Sequence, residues 1–122
     1  MYTMKQICEK TGMTYETLKF YCNVGLIPNV KRDKNNRRIF DDDNLNWIKG
    51  LRCLKNCNMS IAEMKKYLEL CMEGNETIPV RKVMLAEKQD ELRKKIADIE
   101  EAISYIDWKQ NLYNNILSGI RD

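Results

Sequence analysis

Apolar residues recur every three or four positions through most of this chain, and the runs break at a few polar or glycine-containing points. Thr3, with Gln6 three residues on, makes a capping box; Met4, Ile7 and Cys8 follow at helical spacing until Thr11-Gly12 stops the run. This predicts a first helix of about eight residues. Thr14 caps a second helix in which Leu18, Tyr21 and Cys22 share a face, and Val24-Gly25 closes it. Two short helices joined by a glycine-containing turn read as a helix-turn-helix, or on local pattern alone as a plain αα-hairpin.

Leu26-Ile27-Pro28 breaks the helical pattern, and Val30 and Ile39-Phe40 then flank a polar stretch centred on Asn35-Asn36, residue types that accept the positive φ of a hairpin turn. The pattern predicts a small β-wing. Five of the ten residues from Asn29 to Arg38 are Lys or Arg and one is Asp, so Lys31, Arg37 and Arg38 belong to a cationic loop suited to a phosphate backbone. Asp41-Asp42-Asp43 favours a helix start, and Leu45, Trp47, Ile48, Leu51 and Leu54 continue at helical spacing to a left-handed cap at Asn58. Ser60 and Glu63 form another capping box, opening a helix with Ile61, Met64, Tyr67, Leu68 and Cys71 inward.

Gly74 and Pro79 bracket a linker over 73–79. From about Val80 to Leu117 there is no Gly or Pro, and Leu85, Leu92, Ile96, Ile99, Ile103, Ile106, Tyr113, Leu117 and Ile120 trace a heptad seam with polar interruptions at Gln89 and Gln110. Some 35 residues make a rod roughly 50 Å long, which cannot cover its own apolar stripe within a small domain. Pairing with a second copy is the economical solution; folding back onto the first domain is the alternative. The expected organisation is a domain over 1–72, the linker, a dimerisation helix over 80–118 and a tail over 119–122. The fold class is all-α with a small β-wing.

Composition agrees: 122 residues, 43% hydrophobic and 32% charged, with 5 Gly and 2 Pro, hold too few turn formers for a sandwich or barrel. Residues 1–72 carry 13 Lys and Arg against 8 Asp and Glu, whereas residues 73–122 carry 8 against 10. That split suggests a nucleic-acid-binding front and a partner-binding back, against the plainer reading of a solvated basic face. No apolar run approaches a membrane span, so a cytoplasmic protein with no membrane partner is expected. Five cysteines without framework spacing are expected to be reduced. Histidine is absent, and no Gly-rich phosphate loop or carboxylate cluster beyond the Asp run is present, so an enzyme is not expected.

These elements in this order resemble the mercury-resistance-type (MerR) family of bacterial transcription regulators. Thr14-Tyr15-Glu16-Thr17-Leu18-Lys19-Phe20-Tyr21, followed by Gly25-Leu26-Ile27-Pro28, is similar to the family's recognition helix and exit. Arg38-Ile39-Phe40 with Leu45 resembles the wing's second strand and next helix, and Met59-Ser60-Ile61-Ala62-Glu63-Met64 its fourth helix. The resemblance implies a winged helix-turn-helix domain and a long antiparallel coiled-coil dimerisation helix. It further implies a homodimer on a pseudo-palindromic operator in double-stranded promoter DNA, activating RNA polymerase by bending and untwisting the promoter.

Tyr15, Thr17 and Lys19 match the early recognition helix, where side chains reach base edges or phosphates; Tyr21 matches a phosphate-contacting aromatic, and Arg38 the wing arginine. Lys19 stands where the family often has Arg, Phe20 where Tyr is common, Cys22 where Glu is common, and Asn36-Arg37 where Gly-Tyr is usual. Lys19 lacks the bidentate fork that reads guanine, whereas Arg37 keeps a phosphate donor.

Residues 72–122 contain neither Cys nor His, so the family's metal site is not expected, nor any cofactor. With so little chain after Leu117, the ligand-binding domain of the multidrug branch is not expected either. Trp47 to Ile61 with Arg52-Cys53-Leu54, then Gly74 to Pro79 with Arg81, and Tyr105 to Lys109 resemble the thiol-based, aldehyde-responsive (AdhR/NmlR-like) branch. That resemblance implies Cys53 as a sensor of electrophiles. Lys49, Arg52 and Lys55 nearby would favour its thiolate. The competing reading makes Cys53 a small buried hydrophobe, as Cys8, Cys22 and Cys71 are expected to be. Cys57 lies one turn on, at about 5–6 Å between Cβ atoms, too far for an easy disulfide. The alternative function is an effector-independent, DNA-architectural or excisionase-like winged protein.

Overall fold

In a computed structural model the described residues are 1–119, so the expectations for Ile120 and for most of the tail lie outside them. The chain divides into a first unit, residues 1–82, and a second that begins at Val83. In the first, β1 (Tyr2–Thr3) leads into α1 (Met4–Thr11) and α2 (Tyr15–Asn23); β2 (Lys31–Arg32) and β3 (Arg38–Phe40) form the wing; α3 (Asp42–Asn56) and α4 (Ile61–Glu73) follow. A short 3-10 turn at Asn75–Thr77 leads into α5 (Ile78–Leu117), which continues through the second unit.

Local chemistry accounts for the helix ends. Thr3 and Gln6 cap α1 reciprocally, and Gly12 ends it with a φ of 73°. Thr14 accepts the Thr17 N–H at the start of α2. Asp41 with Asn44, and Ser60 with Glu63, repeat the reciprocal box at α3 and α4, and Asn58 adopts the expected positive φ of 68°. Each such cap satisfies amide groups that the first helical turn leaves open.

The wing belongs to a three-stranded antiparallel sheet in the order β1-β3-β2, pairing Tyr2 with Phe40 and Lys31 with Ile39. β1 is a strand the pattern of the chain does not announce, since two residues show no periodicity. It is fastened at its far side by the Tyr2 hydroxyl, which donates to Asp42 Oδ1 at 2.6 Å.

The core of the first unit gathers Ile7, Leu18, Tyr21, Leu26, Ile27, Phe40, Leu45, Ile48, Leu51, Met59 and Met64. Trp47 and Leu54, expected inward, pack at its edge. Two bonds from α3 secure the segment that leaves α2: Trp47 Nε1 donates to the Leu26 carbonyl at 2.7 Å, and Asn44 Nδ2 to that of Pro28 at 2.8 Å. Asn44 is almost wholly buried and caps α3 besides. At the other end of the unit, the buried Thr77 hydroxyl donates to the Leu70 and Gly74 carbonyls and accepts from Arg81 Nε at 3.0 Å. The stretch from Gly74 to Ile78 is therefore bonded turn rather than open linker.

In the second unit the helix leaves its seam bare. Ile96, Ile99, Ile103, Ile106 and Tyr113 are each between 53% and 59% exposed, Leu85 is 37% exposed, and Leu92 is half-buried. Lys109 Nζ lies 5.5 Å from the Trp108 ring centre and 5.6 Å from that of Tyr113, giving the late part of the helix an aromatic cluster. No helix among the described residues is long and apolar enough to cross a membrane.

Replacing Asn44 by Ala strands the Pro28 carbonyl and the Asp41 amide. Urea unfolding should register a loss of about 1–3 kcal/mol, the cost of buried polar groups left without partners.

Candidate nucleic-acid interface

The turn Gly12-Met13-Thr14 sets α2 across α1, burying Leu18 and Tyr21 and leaving the opposite face outward. On that face Tyr15 and Phe20 are 53% and 47% exposed, beside the exposed Lys19. Thr17 is half-buried and committed to the cap: its hydroxyl accepts from that of Thr14 at 2.9 Å.

Asp33 shapes the wing. Its carboxylate accepts the amides of Asn35 and Arg37, both at 2.9 Å, and its own amide donates to the Arg37 carbonyl. Asn36 takes a φ of 62°, the conformation expected of the turn. The single acid of the loop is thus used internally, and Lys34 and Arg37 stay exposed. Arg32 Nη1 donates to the Asn36 carbonyl, and Arg38 Nη2 to Asn23 Oδ1 at 2.7 Å, which moors the wing to the last residue of α2. Lys31 faces Asp41 at 3.8 Å in an exposed, weak pair.

The fold gathers some of the residues singled out from sequence and separates others. Tyr15, Arg37 and Arg38 border one groove between α2 and the wing, together with Lys5 and Arg32. Thr17 and Tyr21 border a second depression, between α2 and α3, with Thr14, Arg52 and Lys55. Tyr21 is 3% exposed, and burial raises its hydroxyl above the ordinary tyrosine range. Lys19 and Lys31 border neither groove. From sequence, Lys55 is expected beside Cys53 and not at DNA, and Lys5 has no neighbouring cations to mark it; the fold brings each to a groove.

Cys53 is exposed on α3, so the reading of it as a small buried hydrophobe is not met. Of the cations expected around it, Arg52 turns its guanidinium to the Thr11 carbonyl. Cys8, Cys22 and Cys71 are half-buried rather than fully buried. Burial raises the Cys8 and Cys22 thiols above their usual range, with Glu9 adding to the effect at Cys8, and Arg38 and Arg32 opposing it at Cys22. Those two are poor nucleophiles at neutral pH.

The profile of the MerR HTH family regulatory proteins matches residues 2–71, and a second, described as MerR, DNA binding, matches residues 45–108. An uncharacterized HTH-type transcriptional regulator of Haemophilus influenzae is 34% identical over 112 residues, covering 92% of this chain and 83% of its own. The HTH-type transcriptional regulator AdhR of Bacillus subtilis is 37% identical over 87 residues, 71% of this chain and 62% of its own.

Among solved structures, HiNmlR, a MerR family regulator lacking the sensor domain and bound to promoter DNA, superposes with a TM-score of 0.78 at 32% identity, covering 98% of this chain and 91% of that one. A MerR-family transcriptional regulator from Bacillus thuringiensis gives 0.74 at 28% identity, covering 90% and 96%. These families and relatives are regulators, not enzymes. With its capped helix-turn-helix, moored cationic wing and long terminal helix, this chain belongs to the MerR family of DNA-binding transcriptional regulators.

Proposed function

We propose that this regulator binds a pseudo-palindromic operator in promoter DNA as a homodimer and activates transcription by distorting the duplex, in response to reactive aldehydes or related electrophiles. The observation that carries the DNA reading is the groove in which the exposed Tyr15 of α2 meets Arg37 and Arg38 of the wing. A short helix beside a cationic finger offers two separate grips on one duplex: base edges and nearby phosphates for Tyr15, Thr17 and Lys19, and more distant phosphates for Lys31, Arg37 and Arg38. Tyr21 is the remaining phosphate contact in this reading, through its hydroxyl. HiNmlR, similar over nearly the whole chain, lacks the sensor domain and is bound to promoter DNA, which supports DNA binding by a chain of this extent.

Dimerisation rests on the bare seam of α5. Five large side chains more than half exposed along one helix leave apolar surface in water, which disfavours it. An antiparallel coiled coil through Leu85, Leu92, Ile96, Ile99, Ile103, Ile106 and Tyr113 covers it, with residues 1–72 as the DNA-binding head, 73–79 as the connection and 80–118 as the pairing helix. Two heads at a fixed separation supply the leverage to bend and untwist the duplex, so RNA polymerase at the promoter, in the cytoplasm, meets realigned elements.

Cys53 receives the signal. It is exposed, its thiol is free, and it lies on α3 next to Arg52, whose side chain reaches the end of α1. An adduct there tilts the balance between two arrangements of the heads, which requires only a few kcal/mol.

Arg37→Ala should weaken binding to all duplexes alike and lower the slope of log affinity against log salt by about 1.8, roughly 0.9 for each protomer of the dimer, in a fluorescence-anisotropy titration. Ile99→Asp combined with Ile103→Asp should convert the dimer to monomer in sedimentation velocity while the helix-turn-helix unit stays folded. Cys53→Ser should keep operator affinity and lose the aldehyde response in transcription assays; a retained response removes Cys53 from the scheme.

A further inference from the structure

The turn between α1 and α2 fixes the angle at which α2 presents its outer face, and one side chain from outside the pair holds that turn. Arg52 of α3, 41 residues further along the chain, donates from Nη1 to the carbonyl oxygen of Thr11, the last residue of α1. Carbonyls at a helix end lack internal partners and carry the negative end of the dipole, so a permanent cation suits the place. The same guanidinium packs on Gly12, where an added Cβ would lie 2.9 Å from Nη1. An added Cβ would displace that flexible guanidinium, whereas the φ of 73° is what requires glycine there. On the other side of the turn, the Thr11 hydroxyl donates to the Ile7 carbonyl at 2.8 Å and accepts the Met13 amide at 3.3 Å.

We propose that Arg52 is a positioning residue for operator binding: it locks the α1–α2 turn from α3 and fixes the angle of α2 without itself holding DNA. This role rests on the promoter-binding reading. It gives α3, which bears Cys53 at the next position, a hold on the turn that leads into the recognition helix. Arg52 is exposed, so its replacement leaves the Thr11 carbonyl to water and does not open the core. A guanidinium committed to a protein carbonyl releases no counterions when DNA binds, which separates a positioning role from a phosphate contact by salt dependence.

Arg52→Ala, Arg52→Gln and Arg52→Lys proteins are titrated with a duplex from the chain's own upstream promoter and with a scrambled duplex, between about 50 and 200 mM salt. Circular-dichroism melting runs in parallel. The Ala and Gln variants are expected to lose about tenfold in operator affinity, the scale of one hydrogen bond to a charged group. Their affinity for the scrambled duplex and their salt slopes should match those of the unaltered protein, and their melting midpoints should fall by no more than about ten degrees, the folding cost of the same lost bond. Arg52→Lys, which keeps one cationic donor, should recover part of the loss.

Unchanged operator affinity in the Ala and Gln variants overturns the proposal. So does a slope lowered by about 1.8, roughly 0.9 per protomer, which marks a phosphate contact. A larger fall in melting midpoint with parallel loss of affinity for both duplexes, a purely structural role, overturns it as well. An unaltered protein with no preference for the promoter duplex overturns the promoter-binding reading too, and is told apart because it appears before any variant is compared.

Discussion

A nine-residue helix does not hold its shape alone in water, so everything this regulator presents to DNA depends on the burial of one face of α2. Leu18 and Tyr21 supply that burial, entering a core built by Ile7 of α1, Phe40 of the wing, and Ile48 and Leu51 of α3. Each such side chain contributes about 1.5–3 kcal/mol when removed from water. Because the same residues are shared by α1, the sheet and α3, the orientation of α2 is common property of the whole unit. The outward positions Tyr15, Lys19 and Phe20 are thereby released from core packing and stand exposed.

The second unit obeys the opposite logic. Its helix is long enough to form with little help, yet its apolar positions stay uncovered within the single chain. The first unit thus closes its own core, whereas the second leaves an apolar stripe open. The wing completes the first unit by different means again: charge and turn chemistry rather than apolar area, with Asp33 tying the loop from within and Arg38 tying it to Asn23.

Features that depend on neighbours along the chain are legible in the sequence. The boxes at Thr3 and Gln6 and at Ser60 and Glu63, the left-handed Gly12 and Asn58, and the Asn36 turn all arise within a few residues, and the structure holds each of them. Features made by distant contacts are not. β1 exists because Tyr2 and Thr3 meet Phe40 and Ile39; Asn44 is a polar residue drawn into the core by Pro28; Thr77 turns a stretch that reads as linker into a bonded turn. The candidate site divides the same way. The cations of the wing stand together in sequence and are visible as a group, whereas Lys5 and Lys55 join the two grooves only through folding. Spacing alone leaves open whether Cys53 faces the core or solvent, because α3 alternates apolar and charged residues closely around it; the fold turns it outward.

Operator recognition by a paired regulator requires two heads held a fixed distance apart on one duplex. Hydroxyl-radical footprinting of the upstream promoter tests this most directly. It should show two protected patches related by a dyad, on one side of the DNA, with centres a whole number of turns of about 10.5 base pairs apart. A single patch without a symmetric mate, or cleavage unchanged along the whole duplex, would contradict it.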